Sequence, residues 1–126
     1  MKRKVRILLF LAFCLVAIPT AASAQTGVHG VFENLTANKQ SGDLDGWRIA
    51  IFSAGNGHWA IVQQAQGGAE DPKPVLVEVT VKGKTIAFTL GETKYTGVVS
   101  AASLKLKAEG DKAETIKRVS SAGYFK

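Results

Sequence analysis

Two histidines, His29 and His58, are the side chains best suited by type to hold a metal or relay a proton, and they are the only histidines in the 126 residues. A zinc site takes three or four ligands at short, regular spacings. No His-x-His pair, cysteine cluster or His-Glu-x-x-His stretch accompanies these two, so the sequence assigns no metal site and reads them as ordinary strand or turn residues. Their positions near the starts of the first and third strands do let them face one another at one end of a barrel. The stretch from Gly42 to Gly46 carries Asp43 and Asp45 in the manner of a calcium loop. It lacks a third acidic position, and Ala54 stands where the closing glutamate belongs, so it reads as a solvated turn or bulge. Glu33, Glu78 and Glu92 are the carboxylates that could meet as an acid/base pair, but nothing in their spacing selects two of them. With neither Gly-x-Ser-x-Gly nor a glycine-rich loop leading into a helix, no catalytic residue and no cofactor is assigned, and the reading is non-enzymatic.

Binding is the remaining chemistry, and it rests on the large aromatics. Trp47, Trp59, Phe88 and Tyr95 are the candidate wall residues of a small-ligand site. Their use depends on the elements that aim them. Val75, Val77, Val79 and Val81 alternate with Leu76, Glu78, Thr80 and Lys82, a period of two that puts the valines on one face of a strand. Ile86, Phe88 and Leu90 repeat the pattern after a Lys82-Gly83-Lys84 turn, and Gly91-Glu92 reverses the chain again. Tyr95, Gly97 and Val99 share the next face, and Leu104 with Leu106 the one after. Upstream, Trp47, Ile49 and Ile51 share a face and so do Trp59, Ile61 and Gln63, with Ala54-Gly55-Asn56-Gly57 as the hairpin turn between them. Trp59 is expected to point inward with Ile61. Weaker strands cover Val28 to Leu35 and Ala113 to Val119, and Gln66 to Pro74 is the longest loop.

About eight short strands in up-and-down order predict an all-β fold, a small antiparallel barrel, with a β-sandwich as the alternative. An eight-stranded barrel has an interior wide enough to be filled by side chains or to hold one small ligand. Sixteen large apolar residues compete for that space. The strands are too short, and the lysines on their outer faces too frequent, for an outer-membrane barrel.

The amino terminus adds a compartment. Lys2, Arg3, Lys4 and Arg6 precede an apolar run from Ile7 to Ile18, and Ala22-Ser23-Ala24 offers small residues for cleavage, so residues 1–24 read as a secretory signal peptide. At 1.5 Å per residue the apolar run reaches roughly 18 Å, short of a bilayer core of about 30 Å. Residues 25–126 then form one domain, secreted or periplasmic, without a membrane span. Cleavage removes four of the 16 basic residues and the single cysteine but no acid, leaving a net charge of +2 on the mature chain. Such a chain has no internal disulfide and little claim on nucleic acid. The surplus is concentrated after residue 75, where Lys82, Lys84, Lys94, Lys105, Lys107, Lys117 and Arg118 could form an anion-attracting side or simply guard strand edges. The expected state is a monomer.

The pattern is similar to that of small lipocalin-like or inhibitor barrels of bacterial envelopes, although no motif ties it to one family. Two functions fit it. One is a binding module that holds a small apolar or amphipathic ligand within the barrel. The other is a filled barrel that binds or inhibits a protein partner, such as an extracellular hydrolase, through its loops.

Overall fold

The computed structural model describes residues 27–68 and 70–121. The expected signal peptide lies outside the described residues. Within them the fold is all-β: β1 (Gly30–Glu33), β2 (Thr36–Ala37), β3 (Leu44–Ala54), β4 (Gly57–Gln66), β5 (Val75–Lys82), β6 (Thr85–Leu90), β7 (Thr93–Val99), β8 (Ser103–Ala108) and β9 (Glu114–Ser120). Each strand from β3 to β8 pairs antiparallel with the next, and β1 pairs with both β9 and β3, which closes an eight-stranded barrel. The two-residue β2 adds to the start of β3 as a ninth strand outside the ring. The sandwich alternative is set aside, because two separate sheets cannot produce this closure.

The valine stripe of β5 faces the interior as its spacing requires, although the strand is buried unevenly. Val79 is 4% exposed whereas Val75, at the strand's start, is 43% exposed. Phe32, Ile49, Ile51, Ala60, Val62, Ile86, Leu104, Leu106 and Ile116 are all at 2% exposure or less and fill the middle of the barrel. Gly97 shows how tightly. It sits on the inward face of β7, and a Cβ there would come within 2.7 Å of Leu104 Cδ1. Residues paired across a sheet project from the same side, so each inward β3 residue fixes its β4 partner. Trp47, Ile49 and Ile51 lie opposite Gln64, Val62 and Ala60.

That register corrects the placement of Trp59. It lies opposite Phe52 of β3, on the outer face with Ile61, while the smaller Ala60 and Val62 take the interior. The hairpin turn falls where the sequence puts it, at Ala54 to Gly57. Ala54 pairs with Gly57, so Gly55 and Asn56 form the loop, and the positive φ of 59° belongs to Gly55. Of the stretch read as a solvated turn or bulge, Gly42 and Asp43 are exposed ahead of β3, whereas Asp45 and Gly46 belong to β3, paired with Gln66 and Ala65.

Candidate binding site

The barrel wall has a seam. β5 and β6 pair only at Thr80–Ala87, Val81–Ile86 and Lys82–Thr85. Below Thr80, β5 continues along β4 from Val79 to Val75, and β6 continues along β7 from Phe88 to Leu90. The two strands therefore part, and a groove of about 510 Å³ opens between them. Val77, Phe88 and Tyr95 reach it from the inner face, while Leu76, Glu78 and Lys94 flank it from the outer face. Thr80, Thr89 and Thr96 supply hydroxyls along the same groove.

Two of the four aromatics proposed from sequence, Phe88 and Tyr95, line the groove, and a third, Trp47, packs against Tyr95 beside it. Phe88 and Tyr95 are cross-strand partners on β6 and β7, and their rings stack with centroids 5.4 Å apart. Trp47 meets Tyr95 edge-on at 5.2 Å. Such offset and edge arrangements suit the ring quadrupoles and hold the cluster in one geometry. Trp47 is further fixed by polar contacts at the barrel rim. Its indole Nε1 donates to Glu114 Oε2 at 3.0 Å, and its backbone N–H donates to Asn34 Oδ1 at 2.6 Å. Asn34 Nδ2 donates to Glu114 Oε1 at 2.8 Å, so the loop after β1 and the start of β9 are tied to β3 at one point. Trp59 is not part of this cluster. It lies with Phe52, Ile61 and the 60% exposed Leu76 on the outside of the barrel.

The longest loop rises from the same end of the barrel as Trp47. Its base is pinned to β3, with Leu44 N–H donating to Gly68 O at 2.7 Å and Gly67 N–H to Leu44 O at 2.9 Å. Gln63 Nε2 donates to Pro72 O at 2.9 Å and holds its far side. Among the carboxylates considered from sequence, Glu33 forms an ion pair with Arg48 at 2.9 Å, and Glu78 borders the groove.

The opposite end is built differently. Arg118, expected among the surface cations, is folded over the barrel end with its Cζ 4.7 Å from the centre of the Phe32 ring. Its guanidinium donates to the carbonyls of Gly27, His29 and Ser100. Burial lowers its pKa from the ordinary guanidinium value. Lys82, Lys84, Lys94, Lys105, Lys107 and Lys117 are exposed. Beside Arg118, His29 Nε2 and His58 Nδ1 lie 3.2 Å apart, with Ser53 Oγ 2.8 Å from the first and 3.4 Å from the second. The two histidines, whose positions let them face one another at one barrel end, do so. Burial, and secondarily the charge of His58, hold the His29 pKa below the ordinary imidazole value.

Sequence reasoning missed Leu76, Glu78, Lys94 and the threonines as groove residues. The available signal was Leu76, an apolar residue in the outward row of an otherwise well-alternating strand. Among the described residues no three His, Cys, Asp or Glu side chains converge, and no helix is long and apolar enough to cross a membrane. The chain matches no family model, no curated protein and no solved structure.

Proposed function

We propose that the protein is a secreted or periplasmic non-enzymatic binding module whose ligand, a small amphipathic molecule, lies in the groove between β5 and β6. The parting of these strands over the Phe88–Tyr95 stack is the observation that carries the reading. The interior itself is occupied by side chains, which favours a ligand at the barrel wall over one at its centre. The groove's 510 Å³ falls within the usual range for small-molecule sites, roughly 300–1,000 Å³. Its apolar floor suits an alkyl or aromatic body, and Glu78, Lys94 and three threonine hydroxyls suit a polar end.

Titration with an amphipathic fluorescent probe should give a saturable rise in emission. Tyr95→Ala should weaken binding about tenfold, a loss of about 1.4 kcal/mol, whereas Trp59→Ala, outside the groove lining, should leave the affinity unchanged. A flat titration across alkyl carboxylates, alkyl ammonium ions and aromatic sulfonates would overturn the reading. Localisation has its own test. Intact-mass analysis of exported material should show a chain that begins at Gln25, and retention of residues 1–24 would remove the argument for an exported domain.

The second reading, a protein partner such as an extracellular hydrolase, is favoured by the apolar outer row next to the groove. Trp59, Ile61 and Leu76 lie there, with Leu76 60% exposed. In that case shortening the loop between β4 and β5, or Leu76→Asp, removes partner binding and leaves the small-molecule probe without effect.

A further inference from the structure

His29, Ser53 and His58 belong to three different segments that meet at the barrel end away from the Trp47 cluster. His29 immediately precedes β1, and Ser53 and His58 are paired residues of β3 and β4. Their polar atoms form a triangle with edges of 2.8, 3.2 and 3.4 Å. Nitrogen or oxygen ligands on one late first-row cation, at bonds of roughly 2.0–2.2 Å, stand about 2.8–3.6 Å from one another between octahedral and tetrahedral geometry. The triangle thus has the size of one face of a coordination polyhedron. Without a cation the same contacts serve as hydrogen bonds among Ser53 and the two rings, so the three donor atoms are already gathered within 3.4 Å of one another.

We infer that these three side chains form a binding site for a divalent late first-row cation, of the Zn2+ or Cu2+ type, with two imidazole nitrogens as the principal ligands. Imidazole favours these ions over magnesium or calcium, which require oxygen ligands. Ser53 would contribute as a weaker oxygen donor, and water would complete the shell. His29 also borders an open depression of about 420 Å³, which gives an entry path and room for those waters. Lys84 and Arg118 border the same depression, and no carboxylate joins the three donors among the described residues. Their positive charge opposes the cation and sets the expected affinity in the micromolar range. The carbonyl of His29 accepts from Arg118 Nη1 at 2.6 Å, so the backbone that carries this ligand is held in place before any metal arrives.

The test is calorimetric titration of untagged protein with Zn2+, together with the visible spectrum of the Co2+ form. One cation per chain is expected, with the intense visible bands of a four-coordinate Co2+ site. His29→Gln and His58→Gln should each weaken binding at least tenfold, and Ser53→Ala by about two- to fivefold. Proton NMR of the unaltered protein supplies a measurement that does not depend on the variants folding: on Zn2+ addition the ring signals of both histidines should shift together to an endpoint at one equivalent. No binding below millimolar Zn2+, a shift of only one histidine, or an affinity that survives both glutamine substitutions would overturn the inference.

Discussion

Val79→Asp should cost about 4 kcal/mol or more of folding free energy, a large share of the roughly 5–15 kcal/mol that holds a domain folded. Val79 is 4% exposed in the centre of the core cluster. A carboxylate there must either stay charged without a partner or take up a proton, and both are expensive in an apolar interior. Glu78→Lys, one residue away on the exposed face, should change stability by no more than about 0.5 kcal/mol. Urea unfolding of the two variants checks the pair. Equal tolerance at both positions would mean that β5 is displaced by one residue, which would exchange its inner and outer faces.

The second large effect is expected at Phe32. This ring is at 0% exposure and lies under the Arg118 guanidinium, so it supports both the core and the polar cover at one barrel end. Phe32→Ala should lower the unfolding free energy by about 3–5 kcal/mol, the range for a large aromatic removed from a close-packed site. Phe32→Leu should recover much of that loss by retaining volume. The two midpoints in a denaturant series separate packing from the cation–π contact, because leucine restores only the first. A loss below about 1 kcal/mol for the alanine variant would show that this end of the barrel is loosely packed.

Most of the barrel could be read from the sequence because the relevant signals are local. Alternation placed Val79, Ile86, Phe88, Val99, Leu104 and Leu106 on inward faces, and all are buried. Trp59 is misplaced from sequence because both faces of β4 carry apolar residues, so the face that Trp59 shares with Ile61 reads as the inner one. The hairpin itself contained the answer. Any two-residue turn joining β3 to β4 sets odd-numbered residues of one opposite even-numbered residues of the other. With Ile49 and Ile51 inside, Trp59 had to be outside. The seam had no such signal. Val75 to Val79 alternate as regularly as the rest, and only the curvature of the closed sheet decides where β6 leaves β5. The triangle of His29, Ser53 and His58 likewise depends on closure, which brings the segment before β1 against residues 24 and 29 positions later.

The way β1 closes the ring also governs how the chain must fold. Every other neighbouring pair of barrel staves is consecutive and can form as a hairpin within microseconds, soon after its turn is made. β1 has only four residues, and it must join β3 on one side and β9, more than eighty positions away, on the other. Until residues 114–120 are present and in register, the meander remains an open sheet with two free edges. The slowest step in acquiring the native state is therefore expected to be this single long-range capture, which carries the largest loop-closure entropy in the molecule. A chain truncated before β9 should expose those edges and aggregate, even though most of its hairpins remain intact.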